Sequence, residues 1–98
     1  MNADTSSVSL DELAQASGLS EAELRDLVGY GALVPHEPAS TRWTFSSHST
    51  LTVRTASRLR SDLDLDLYAV SVCLRYLDRI EALEQQLRHL QAQLPGGR

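Results

Sequence analysis

Three histidines (His36, His48 and His89), one cysteine (Cys73) and thirteen carboxylates are the side chains best suited to chemistry in this 98-residue chain. No two of the histidines stand at the i,i+4 spacing that holds zinc on one helix face, and there is no C-x-x-C pair. The histidines fall in a predicted loop, at a predicted helix cap and on a predicted tail. A single cysteine cannot form an intrachain disulfide or a multi-cysteine metal site, and Cys73 reads as a small buried hydrophobe. There is no glycine-rich phosphate cradle and no nucleophile elbow, and the paired carboxylates fall on predicted helix surfaces where water would solvate both. The sequence therefore predicts no catalytic residue, no metal ligand set and no cofactor. Binding is the function class that remains.

Charge is what a binding surface would use, and it is unevenly placed. The net charge is −4. Residues 1–37 set Asp4, Asp11, Glu12, Glu21, Glu23, Asp26 and Glu37 against Arg25 alone. Residues 38–60 carry Arg42, Arg54, Arg58 and Arg60 with no acid. Beyond them lie Asp62, Asp64, Asp66, Asp78, Glu81 and Glu84 with four arginines. Two acidic clusters result: Asp11, Glu12, Glu21, Glu23 and Asp26 near the start, and the six acids from Asp62 to Glu84.

The elements that position these charges are marked by their caps. Ser9-Leu-Asp-Glu12 and Ser20-Glu-Ala-Glu23 are capping boxes, in which the serine hydroxyl and the glutamate each satisfy a free backbone N–H. Leu10, Leu13 and Ala14, then Leu24, Leu27 and Val28, recur at helical spacing. Gly18 stops the first helix, and Gly29 and Gly31 stop the second. Two short helices joined by about three residues form a helix-turn-helix. Ala32–Pro35 and Thr41–Phe45 favour extended backbone and flank a loop with Pro38, which predicts a β-hairpin wing with Trp43 and Phe45 on one face. Ser46 or Ser47 can cap a third helix through Leu51, Val53, Ala56, Leu59 and Leu63. Asp64 is suited to left-handed backbone, and Asp66 to the N-cap of a last helix.

That last helix is expected over Asp66–Leu94, ended by Pro95-Gly-Gly. Tyr76, Ile80, Leu83, Leu87, Leu90 and Leu94 are spaced 4-3-4-3-4, a heptad stripe. Val70, Cys73 and Leu77 form a second apolar line nearer the head. A 29-residue helix is about 43 Å long, whereas a 65-residue head is only about 28 Å across. The head can thus cover at most about two-thirds of the helix. About ten residues should project into water, Leu87, Leu90 and Leu94 among them, which predicts a homodimer through the stripe. The expected division is a winged helix-turn-helix head over 1–65, a long C-terminal helix for dimerisation and partner binding over 66–94, and a frayed tail over 95–98. No apolar run is long enough to span a bilayer and no signal peptide is evident, so the cytoplasm is the expected compartment.

The order of these parts resembles the MerR superfamily, and within it the CbpM-type chaperone modulators. The resemblance is carried by Ser17–Leu24, Asp26–Pro35, Trp43-Thr-Phe45, Arg58–Leu63 and Leu74–Leu83, and spans roughly residues 8–94. It implies a mainly α fold: a MerR-like winged helix-turn-helix with a small β-hairpin wing, a further helix and a long coiled-coil helix. It also implies a regulatory binding protein that inhibits a DnaJ-like (CbpA-type) co-chaperone by covering its J-domain. The modulators it resembles begin with a longer β-rich segment, whereas Met1–Ser7 is short and polar and is expected to be loose. Drug-sensing relatives carry a further domain after the coiled coil, so a chain ending at Arg98 is expected to have no small-molecule effector.

The same superfamily includes DNA-binding transcriptional regulators, which set their second helix in the major groove and the wing on phosphates. Here that helix carries Glu21, Glu23 and Asp26 against Arg25, a net −2 that a polyanion repels. Arg42, Arg54 and Arg58 leave room for weak phosphate contact. J-domains as a class present a basic second helix beside an His-Pro-Asp loop, and an acidic surface would complement it. Either acidic cluster could serve. The cluster of Asp62, Asp64, Asp66, Asp78, Glu81 and Glu84 is the preferred expectation, because it gathers beside a turn where a groove could form. An interaction module with some other protein partner is the third class left open.

Overall fold

The computed structural model describes residues 7–94. Its elements run β1 (Ser7–Ser9), α1 (Leu10–Ser17), α2 (Glu21–Gly29), β2 (Thr44–Ser46), α3 (His48–Leu63) and α4 (Leu67–Gln93). Both capping boxes form. Ser9 N–H donates to Glu12 Oε1 at 2.8 Å and Glu12 N–H to Ser9 Oγ at 3.1 Å. Ser20 and Glu23 repeat the exchange at 2.9 and 3.0 Å. Gly18 adopts φ +79° and its N–H donates to Ala14 O at 2.9 Å, so the turn between α1 and α2 is three residues long. A Cβ there would meet no neighbour, so the requirement for glycine is conformational. Asp64 sits in the left-handed region at φ +53°, and Asp66 caps α4 by accepting from Ala69 N–H at 2.8 Å.

The wing departs from the expected hairpin. Ala32–Pro35 forms no strand; β2 pairs instead with β1, antiparallel, with Val8 opposite Phe45. Ser7 is therefore part of the sheet, not of a loose leader; residues 1–6 lie outside the described residues. The physical reason is donor chemistry. Pro35 and Pro38 bring no N–H to a ladder, and one bond survives of the hairpin, His36 N–H to Thr44 O at 2.8 Å. The loop is held by its own side chains. Ser40 Oγ bridges the backbone of Arg42 at 3.2 Å in both directions, and Trp43 Nε1–H donates to Pro38 O at 3.1 Å. Trp43 and Phe45 do pack together, edge to face at 6.3 Å.

The core is Leu10, Leu13, Leu19, Leu24, Leu27, Leu33, Phe45, Val53, Ala56, Val70 and Leu74. Helices α1 and α3 pack together, and the start of α4 closes the core against α2 and α3. Two anchors fix where α4 leaves: Tyr30 meets Tyr68 edge to face at 5.3 Å, and Arg75 Nη1 donates to Tyr30 O at 2.9 Å. Burial then stops. Of the second apolar line, Val70 is buried, Cys73 is half-buried and Leu77 is exposed. All 19 residues from Arg75 to Gln93 are exposed, so the head covers less of the helix than the expected two-thirds. The head touches α4 near one end instead of lying along it, and a sphere's diameter overstates that contact. Leu51 and Leu63, in the apolar series that marks α3, are also exposed, at 57% and 59%. The helix ends at Gln93, with Leu94 extended at φ −74° and ψ 140°. The expected stop at Pro95-Gly-Gly and the tail over 95–98 lie outside the described residues.

Candidate functional site

Three surfaces carry the residues that the sequence singles out. The first is α2, which occupies the second-helix position of the helix-turn-helix. Glu21, Arg25 and Asp26 are exposed and Glu23 is half-buried. Arg25 is not a free cation, because its guanidinium lies over the Trp43 ring at 5.6 Å from the centroid. Glu23 pairs with Arg60 of α3, so it is turned toward the protein. The Ser20 backbone N–H, and after it the Arg60 guanidinium, hold the Glu23 carboxyl below its ordinary value of 4.5. What α2 offers outward is Glu21 and Asp26, with a positive charge already engaged.

The second surface holds the six tail acids, and the structure divides them. Asp62, Asp64 and Asp66 cluster at the α3–α4 turn. There Asp64 and Asp66 line a polar groove with Glu23, Arg60 and Ser61. Asp66 is committed to its cap. Asp78 lies twelve residues further on, about 18 Å along the helix axis. Asp78 and Glu81 line a different groove, between α3 and α4, with His48, Leu51, Thr52 and Leu77. Glu84 follows on the outer helix, exposed. The groove at Asp78 combines acids with the exposed apolar Leu51 and Leu77, the mixture that a protein partner requires. Sequence reasoning missed the approach of His48 and Leu51 to these acids, because the crossing of α3 and α4 is not written in either helix alone.

The third surface is the stripe. Tyr76, Ile80, Leu83, Leu87, Leu90 and Leu94 are between 49% and 67% exposed, with no covering element among the described residues. The basic residues Arg42 in the wing and Arg54 and Arg58 one turn apart on α3 are exposed as well. No helix among the described residues is long and apolar enough to cross a membrane.

The family described as "MerR HTH family regulatory protein" matches residues 8–92, from β1 almost to the end of α4. The chain belongs to the MerR helix-turn-helix family. Within that family it groups with the CbpM-type chaperone modulators. It is 37% identical over 90 residues to the "Chaperone modulatory protein CbpM" of Escherichia coli K12 / DH10B, and equally to those of Escherichia coli O157:H7 and Shigella boydii serotype 18. The match covers 92% of this chain and 89% of each relative, so the long helix is shared as well as the head. These relatives and the family carry regulatory or modulatory names, in keeping with a regulator.

Proposed function

We propose that this MerR-family chain is a cytoplasmic, non-enzymatic chaperone modulator that binds the J-domain of a DnaJ-like co-chaperone and inhibits it by occupancy. The observation that carries the reading is the chemistry of α2. A helix in the DNA-reading position presents Glu21 and Asp26, and its one cation is stacked on Trp43. Such a face is repelled by phosphate and attracted by a basic polypeptide.

The contact surface proposed is the tail cluster, Asp62, Asp64, Asp66, Asp78, Glu81 and Glu84, centred on the groove where Asp78 and Glu81 flank Leu51 and Leu77. Apolar contact there supplies affinity, and the acids supply approach and register. The helix-turn-helix cluster is the alternative face. Residues 66–94 also carry the proposed dimer interface, Tyr76, Ile80, Leu83, Leu87, Leu90 and Leu94, in which a second copy covers the stripe. The head over 1–65 sets the stance of that helix.

Calorimetric titration of the full chain with an isolated J-domain tests the reading. One site per chain is expected, and D78K/E81K should weaken it by about tenfold or more, the loss of two charge contacts. Unchanged affinity in that variant would move the site to the helix-turn-helix acids. No binding by either protein would sink the J-domain reading. Arg42, Arg54 and Arg58, all exposed, support a second reading as a DNA-binding regulator. Its signature is specific operator binding with a steep salt dependence.

A further inference from the structure

We infer that His48, Asp78 and Glu81 form a binding site for a divalent transition-metal ion at the junction of α3 and α4. The three belong to different parts of the chain. His48 is the first residue of α3, and Asp78 and Glu81 are three apart on one face of α4. The packing of α3 against α4 brings an imidazole nitrogen and one oxygen from each carboxylate within 4.8 Å of one another. Two ligands of a tetrahedral zinc lie about 3.4 Å apart, so small rotations of exposed side chains complete the set. Among the described residues no hydrogen bond or ion pair engages the side chain of any of the three; the one salt bridge there is Glu23–Arg60.

The donor set defines the metal. One imidazole with two carboxylates is a mixed nitrogen–oxygen set that suits zinc, cobalt or nickel, whereas magnesium and calcium favour oxygen alone. Three protein ligands leave a coordination position open. The setting gives the ion a mechanical role as well. Leu74 is the last buried residue of α4, and Asp78 and Glu81 lie one and two turns beyond it. A bound ion would tie this first exposed stretch of the helix to the N-terminus of α3. It would also neutralise the two carboxylates assigned above to a protein partner. The inference does not depend on that assignment, because it concerns the chain by itself.

The test is calorimetric titration of the untagged full chain with zinc chloride, and separately with magnesium chloride. One zinc per chain at micromolar affinity is expected, with no measurable magnesium binding at the same concentrations. H48A, D78N and E81Q should each weaken zinc binding by about tenfold or more, the least that loss of a direct ligand should cost. H89A, which removes another exposed imidazole, should leave it unchanged. All three ligands are exposed, so the variants keep the core, and helical circular dichroism confirms the fold. Zinc should raise the unfolding midpoint of the parent chain and not that of H48A. Unaltered affinity in H48A, equal loss in H89A, one ion per two chains, or only millimolar binding would each overturn the site.

Discussion

Glu23 works three ways at once. It completes the capping box of α2, pairs with Arg60 across to α3, and draws negative charge inward from the surface. Its carboxyl titrates below the ordinary value, first through the Ser20 backbone N–H and then through Arg60. A group whose folded-state value is depressed contributes stability above its unfolded value and loses it as pH falls through the folded one. The unfolding midpoint should therefore drop on acidification below about pH 4.5, and should drop less in E23Q. Glutamine keeps the cap and removes the charge, and thermal melts across that range measure the difference. Ser20→Ala should cost about 1 kcal/mol in denaturant unfolding at neutral pH, through loss of the cap hydroxyl. At this scale the sequence was highly legible. Ser9, Gly18, Ser20 and Asp66 bond backbone groups within four residues, and Asp64 sets its own left-handed backbone, so their roles follow from local sequence. The Arg60 partner of Glu23 did not, because 37 positions separate them.

Helices were legible for the same reason; of the strands, β2 was foreshadowed by Thr41–Phe45 and β1 was not. Ser7-Val-Ser9 has too few residues to show alternation, and its partner is 37 positions away, so nothing local marks it as β. The wing segment reads as extended from its residue types, yet Pro35 and Pro38 leave it unable to build a ladder on its own. The long helix was read in the right place, but its exposed length was not, since the height at which a helix meets a head is a tertiary property. The stripe yields the clearest prediction for an element. L87D/L90D should convert a dimer to a monomer in sedimentation equilibrium and lower helical ellipticity, with the head's unfolding transition intact. A parent chain that is monomeric at high micromolar concentration would refute the stripe as an interface. By contrast, Leu24→Ala, in a fully buried position, should destabilise the head by about 2–5 kcal/mol without altering the tail's association.

For the molecule as a whole, what matters is that acids outnumber bases at both ends and that the basic band of residues 38–60 lies between them. If the partner is a basic domain, this arrangement acts mainly on encounter. The association rate should fall as salt rises from about 50 to 300 mM, with dissociation changed little, and D78K/E81K should flatten that dependence. Stopped-flow mixing at several ionic strengths measures both constants. Of the candidate site, the sequence disclosed the acids and the stripe, but not that Asp78 and Glu81 would face His48 and Leu51. That juxtaposition depends on the crossing of two helices whose sequences specify only their own inner faces.

The early departure of α4 from the head carries a consequence for supply. Beyond the groove that ends at Glu81, the twelve exposed residues Ala82–Gln93 fall within the length range at which isolated helices in water are marginal. A chain without a companion would present an unravelling, protease-sensitive stem, whereas a paired one would present a rod. Turnover would then depend on abundance, with scarce copies cleared faster than plentiful ones. Limited proteolysis across a dilution series should show the cut sites beyond Glu81 fading as concentration rises.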